Sequence, residues 1–494
     1  MKLIKKIVAI MFAFMMVVSM SCNVKADEGT SSTKKGTITI TNAKEGETYK
    51  LYKILSLESY SYTGNDKDNG NYAYTLTGDT KWDNFIETKA TDYFEFDKTN
   101  TYLTWKGSTD ETRVKEFAQL ALKYARTKSN NVQPLKEVER TKSSTVKFDD
   151  LDLGYYLVDS SVGSLCVLNT TNPDLTIAEK NGVPSVEKGV SNIQNGTYES
   201  TNNASIGDTV YFQTTITAQP GAQNYVLHDK MTKGLTLKND SIVVKKGESP
   251  VATSDYTLKT SGFIDGCTFE IVFGQTFCDG LQKDEKITVT YSATLNANAV
   301  IGNDANTNTN KTLLSYGDSQ KTTEVTTNTK TFKMDVFKYT ENRTDKTKKD
   351  GLADAVFTLK KDGETNTINF VKETTDENNG DIYRVANTGD ANITTNKSGK
   401  FTIKGLSAGI YYLTETKQPA GYNKLSGPVK VEIDTSGNVT VDGADANPVK
   451  VENKTGTVLP STGGVGTTMI YLIGAVLVLG SGVVLATKRR VKNK

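Results

Sequence analysis

Histidine is nearly missing from this 494-residue chain: His228 stands alone. One imidazole excludes a His-based metal cluster, and a Ser-His-Asp arrangement would have to use a residue in an ordinary strand pattern. No glycine-rich loop suited to cradling phosphate is present either. Carboxylate pairs are plentiful in the loops, but on a surface rich in acidic residues they read as solvated charge. The expectation is no metal, no cofactor and no enzyme acting on an outside substrate. Excess charge of one sign is lacking too. The net charge is +2 with no basic stripe, which argues against nucleic acid as a partner.

Cysteine is sparse, at four. Cys22 lies in a segment expected to be removed, and Cys166 has no evident mate. Cys267 and Cys278 flank "TFEIVFGQTF", where Gly274 could make the turn of a hairpin. A Cys267–Cys278 disulfide is expected in an oxidising compartment, the alternative being two small buried apolar residues. Disulfides therefore cannot be what chiefly stiffens the chain.

What is present begins with the two ends. Lys2, Lys5 and Lys6 precede an apolar stretch from Ile7 to about Met20, and "NVKA" offers a cleavage site after Ala26, so residues 1–26 read as an export signal. Lipidation at Cys22 is disfavoured, because "SMSC" has Ser19 where a lipobox wants Leu. At the other end no charge appears between Lys454 and Lys488, and "MIYLIGAVLVLGSGVVLAT" is about long enough to span a bilayer at roughly 20 residues. The tail "KRRVKNK" is basic and stays cytoplasmic. The chain is expected to be secreted and held at its C-terminus.

Between the ends, period-two alternation dominates, as in "GTITITN", "TVYFQTTITA", "KITVTYSATLN", "KFTIKGL" and "VKVEIDTSGNVTV". Short strands separated by Gly, Asn and Asp turns predict an all-β protein of tandem Ig-like β-sandwiches in an elongated rod. "ETRVKEFAQLALKYAR" departs from this: Val114, Phe117, Ala121 and Tyr124 share a helical face, predicting a small helical insertion in the first domain. Turn-rich joints place domains at 27–182, 183–325 and 326–455, with a sorting region at 456–494.

Strand parity then points to chemistry, because residues of one parity share a face. In "FKMDVFKY", Lys338 is in register with Phe332, Met334 and Val336. In "IYYLTET", Glu415 follows Tyr411 and Leu413, and in "PVKVENK", Asn453 follows Val449 and Val451. The middle domain repeats the pattern: Lys188 with Val186 and Val190, Asp229 with Tyr225 and Leu227, Asn310 with Leu314 and Tyr316. Burial lowers a lysine pKa and leaves a nucleophilic amine, while a buried acid stays protonated and polarises an amide. Asp229 and Glu415 are then autocatalytic acids for Lys188–Asn310 and Lys338–Asn453 isopeptide bonds. A third bond, Lys53 to Asn181 with Asp159 as acid, follows from Lys53 sharing a face with Leu51 and Leu55, Asp159 with Tyr155 and Leu157, and Asn181 with Ile177.

These residues resemble those of the sortase-assembled backbone pilins of Gram-positive bacteria. "LPSTG" (Leu459, Pro460, Ser461, Thr462, Gly463), with its apolar span and basic tail, is similar to a cell-wall sorting signal. "GYYLVDS" and "GIYYLTETKQPAGY" resemble the E-box segments of the family's Ig-like domains, the second more closely. "LTIAEKNGVP" resembles the pilin motif, though Ala178 and Glu179 precede Lys180 where Tyr-Pro is commoner. The resemblance implies cleavage between Thr462 and Gly463, with Thr462 held as a thioester that the lysine of the next subunit resolves. Parity favours Lys180 as that lysine, since Leu175 and Ile177 face the core with Glu179 and Lys180 faces outward.

The resemblance also implies the partners: a pilus-specific sortase, a housekeeping sortase with peptidoglycan, identical subunits and accessory pilins. No segment identifies a host surface or matrix ligand. The leading reading is the shaft subunit of a covalent surface pilus on the cell wall, held only transiently by the C-terminal membrane helix. The alternative is a monomeric wall-anchored adhesin or an accessory tip or base pilin, and the presence of Lys180 without a large binding insertion favours the shaft.

Overall fold

The computed structural model describes residues 35–61, 71–98, 101–107, 111–140, 143–160, 163–167, 174–179, 182–219, 223–263, 265–302, 308–317, 320–455 and 465–491. They fall into two compact units that meet in sequence between Thr331 and Phe332.

In the first unit, strand Lys35–Thr41 ("KGTITIT") alternates, with Ile38 and Ile40 buried. It pairs in parallel with Asp174–Ala178 and antiparallel with Thr145–Asp152, forming a three-stranded sheet. A seven-stranded sheet built around Thr48–Ser61 and Gly154–Ser160 packs against it, with Ile40, Tyr49, Leu51, Phe148 and Val158 between the two. The far face of the larger sheet is covered by helix Glu111–Arg126, as its apolar stripe predicts, and by a second helix, Thr80–Thr88, that Asp79 caps. Trp82, Phe85 and Phe117 from these helices meet Tyr52, Ile54 and Leu157. Strand Gly154–Ser160 is consequently buried at every position, on both faces.

The same unit continues with two further sheets. One runs Ser185–Ser191, Thr209–Thr217, Lys286–Leu295, and the other includes Val325–Lys330, Asn308–Tyr316, Val226–Met231 and Phe269–Phe273. Strict alternation in Thr209–Thr217 buries Val210, Phe212 and Ile216, and Leu227, Phe269, Ile271 and Leu314 of the other sheet are buried as well. Residues 274–280 correct the expected hairpin. Gly274 leads into a short helix, Gln275–Asp279, rather than turning the chain back on itself.

In the second unit, strand Phe332–Glu341 lies between Lys400–Leu406 (antiparallel) and Val449–Glu452 (parallel). A second sheet carries Val356–Lys361, Gly409–Lys417 and Val429–Ile433. Met334, Val336, Phe357, Leu359, Phe401, Tyr411, Leu413 and Val449 are almost fully buried between them, each contributing roughly 1.5–3 kcal/mol relative to exposure. Helix Val465–Val491 follows, and its stretch Met469–Lys488 is long and apolar enough to cross a membrane.

Candidate functional site

Parallel pairing in the second unit sets Val336 beside Val449 and Lys338 beside Val451, so Asn453 falls just past the lysine. The Asn453 backbone N–H is held by the Tyr339 carbonyl at 2.9 Å. Glu415 arrives from the facing sheet. Lys338 Nζ donates to Asn453 Oδ1 and lies 3.2 Å from Glu415 Oε1, while Asn453 Nδ2 donates to the same Glu415 oxygen at 2.9 Å. The Leu425 backbone N–H fixes the other carboxylate oxygen at 2.9 Å. All three side chains are buried, and Phe357 lies under the ammonium at 5.9 Å. Burial pulls the Lys338 amine below its ordinary 10.5, against the opposing pull of the Glu415 charge.

The middle set is built the same way from three strands. Lys188 Nζ lies 2.6 Å from Asp229 Oδ2, both side chains fully buried. A fourth residue joins them: the Tyr291 hydroxyl is in hydrogen-bond contact with Lys188 Nζ and Asp229 Oδ2, and accepts from Asn310 Nδ2 at 3.1 Å. Thr214 Oγ1 completes the lysine's surroundings at 3.3 Å. Burial lowers Lys188 and raises Asp229, so both are driven towards their neutral forms. Asp229 Oδ1 and Asn310 Oδ1 are buried without a hydrogen-bond partner, and a protonated carboxyl has the hydrogen that such acceptors want. Sequence reasoning missed Tyr291, although parity in "KITVTYSATLN" sets it on one face with Ile287 and Val289.

The proposed third set is not assembled. Asp159 shares the face of Tyr155 and Leu157, which is the helix-covered face of the sheet, and Arg126 at the end of helix Glu111–Arg126 grips it through two guanidinium nitrogens, Nε and Nη2. Lys53 lies on the opposite side, beside Gly154, where a Cβ would come within 2.7 Å of its Cε. Parity placed Asp159 at a buried position but could not say which of two cores it faced, and Lys53 is only half-buried. Asn181 lies outside the described residues, as do Lys180 and Leu459, Pro460, Ser461, Thr462 and Gly463. Their described neighbour Glu179 is buried and accepts from the Ser160 hydroxyl at 3.1 Å.

Cys267 and Cys278 are free, which corrects the expected bridge. The short helix carries Cys278 into the core, while Cys267 lies 3.7 Å from His228 Nδ1. Burial, then Asp265, pushes the Cys267 thiol up to about 12, and burial pushes Cys278 up to about 11.

Residues 337–447 match the prealbumin-like fold domain, 206–320 the Gram-positive pilin backbone subunit 2, Cna-B-like domain, and 451–494 the LPXTG cell wall anchor motif. No curated protein matches in sequence. Solved structures with similarity include the T6 backbone pilin of serotype M6 Streptococcus pyogenes, at 17% identity, covering 81% of each chain with a TM-score of 0.49. The Corynebacterium diphtheriae major pilin SpaA matches at 16% identity over 85% of this chain and 100% of that one, TM-score 0.45. The Bacillus cereus major pilin BcpA matches at 13% identity over 85% and 99%, TM-score 0.42. One chain thus carries a Gram-positive pilin backbone domain, a prealbumin-like domain and an LPXTG cell wall anchor motif.

Proposed function

We propose that the chain is a covalently joined shaft subunit whose sandwiches cross-link themselves. The observation that carries the self-linking is the buried contact of Lys338 with Asn453 under Glu415. The neutral Lys338 amine attacks the Asn453 amide carbon, and the new C–N bond forms as the bond to Nδ2 breaks. The carboxyl gives its proton to departing Nδ2 and recovers one from Nζ, so ammonia leaves and Glu415 is regenerated. Lys188, Asn310 and Asp229 react in the same way, with the Tyr291 hydroxyl in contact with donor, acid and amide together. These steps act on the chain itself and turn over no outside substrate.

Subunits are joined by a pilus-specific sortase that cleaves after Thr462 and passes its acyl group to Lys180 of the next copy. A housekeeping sortase transfers the finished polymer to peptidoglycan. An immunoblot of wall extract tests the shaft reading: a ladder of high-mass species supports it, and a lone monomer band overturns it.

A further inference from the structure

On the outer face of strand Val226–Met231, away from the isopeptide core, four side chains of metal-ligating type converge. His228 and Glu270 are paired across the sheet, and Asp265 and Cys267 come from the loop that leads into Phe269–Phe273. From His228 Nδ1 the distances are 3.1 Å to Glu270 Oε1, 3.3 Å to Asp265 Oδ2 and 3.7 Å to Cys267 Sγ. All four donor atoms lie within 4.8 Å of one another. Around a tetrahedral ion with bonds of ~2.0–2.3 Å, neighbouring donors sit about 3.3–3.8 Å apart. Two of the His228 distances fall in that range and the third, to Glu270, is 0.2 Å short of it, before any ion is bound.

A second observation concerns the other ring nitrogen. His228 Nε2 is 2.9 Å from Ser315 Oγ on the adjacent strand. With Nε2–H donating to the serine, Nδ1 turns its lone pair towards the two carboxylates and the thiol, the orientation a metal-bound imidazole needs. Two lysines approach the edge of the cluster: Lys259 Nζ is 3.7 Å from Glu270 Oε2, and Lys230 Nζ donates to the Asp265 carbonyl at 3.0 Å. Neither occupies the centre, and Glu270 keeps Oε1 turned towards the imidazole.

We propose that His228, Asp265, Cys267 and Glu270 form a binding site for one divalent transition-metal ion, with Zn2+ the ion that fits. The mixed nitrogen, sulfur and oxygen donors suit zinc better than the hard cations calcium and magnesium, which prefer all-oxygen sets. As the metal–sulfur bond forms, the Cys267 proton is released to solvent, and the ion ties the 265–267 loop to the outer face of the sheet.

The test uses protein released from the cell wall, stripped with a chelator and dialysed. Titration with Co2+ should give one equivalent bound, with a thiolate-to-cobalt charge-transfer band and tetrahedral visible bands that Zn2+ abolishes. Zn2+ should also protect Cys267 from alkylation in the unaltered protein. C267S should lose the charge-transfer band and H228A should lose binding, while C278S keeps both. Ser315→Ala, which only removes the group that orients the imidazole, should weaken binding by ~10–100-fold. Absence of uptake overturns the proposal and leaves an ion-pair network around His228. Uptake with Cys267 alkylated at its metal-free rate, or unchanged in C267S, overturns it as well.

Discussion

Ser160 occupies in the N-terminal sandwich the position that Glu415 occupies in the second unit. Each strand opens on a glycine, Gly154 or Gly409, and carries a tyrosine two residues on. The Tyr156 hydroxyl donates to the Asp152 carbonyl as the Tyr411 hydroxyl donates to the Ser407 carbonyl. Four residues past each tyrosine stand Ser160 and Glu415. Register along the first strand agrees. Gly36 pairs Leu151 and Ile40 pairs Val146, as Phe332 pairs Leu406 and Val336 pairs Phe401, which brings Asn42 to the place of Lys338. The N-terminal sandwich therefore has neither the amine nor the acid at the positions that hold them elsewhere.

The expected mass follows. Folded protein should weigh less than its sequence by two ammonia molecules, one from each assembled set. Intact-mass measurement of the wall-released protein, after correction for the processed ends, checks this. A third missing ammonia would show that the equivalence of Ser160 and Glu415 misplaces the first domain's chemistry.

Glu415→Ala should prevent the Lys338–Asn453 bond and leave the strands intact, because the acid moves protons and does not pair backbone. A link between residues 115 apart restrains the unfolded chain as a long-loop disulfide does, so its loss should cost about 2–5 kcal/mol. Asp229→Ala should do the same for Lys188–Asn310. Tryptic mapping that still finds the cross-linked peptides in either variant removes these residues from their role.

Tyr291→Phe separates relay from packing. The ring stacks on Phe212 at 5.5 Å between centroids and meets Phe269 edge-on, and both contacts survive the substitution. Only the hydroxyl shared by Lys188, Asp229 and Asn310 is lost. The bond should form more slowly in refolded protein, followed by the appearance of the ammonia-depleted mass, while unreacted chains should still fold. An unchanged rate assigns Tyr291 to packing alone.

How far the sequence could be read turned on how many faces of each strand are buried. Where one face meets a core, as around Lys338, Asn453 and Lys188, parity alone placed the side chain. Strand Gly154–Ser160 is buried on both faces, so parity was right about Asp159 being buried and silent about Arg126. The site around His228 was hidden for a different reason. A count of one histidine excludes multi-histidine sites, but the other donors come from across the sheet and from a loop, which no spacing along the chain announces. The Cys267–Cys278 bridge failed because five residues after Gly274 wind into a helix and take Cys278 inward.

Without its bond, the middle set should give a pH signature. In Asn310→Ala, Lys188 stays a free amine whose folded-state pKa lies below 10.5 because of burial. The unfolded chain then binds more protons than the folded one between that lowered value and 10.5, so stability rises with pH across the window. The cross-linked protein has no such amine to titrate, and its other groups are shared by both forms. The stability deficit of the variant should therefore be greatest below the lowered folded-state value and shrink as pH approaches 10.5. Denaturant unfolding of the two proteins at matched pH values checks this, and a constant deficit denies the buried free amine.

The last prediction concerns assembly. Joining Thr462 of one copy to Lys180 of the next is a head-to-tail contact between unlike surfaces, which does not close and so grows an open filament. Lys180→Ala should abolish the high-mass ladder yet leave monomer on the wall, because anchoring needs only the sorting sequence and a wall nucleophile. Thr462→Ala should remove both, since the acyl group that each transfer uses is gone. Lys180→Arg is the sharper variant: it keeps the positive charge and most of the side-chain length, but a guanidinium remains protonated and cannot attack a thioester. It should fail as Ala does. A normal ladder from the arginine or alanine strain would assign the linkage to a different lysine and separate the resemblance around "LTIAEKN" from the polymer's chemistry.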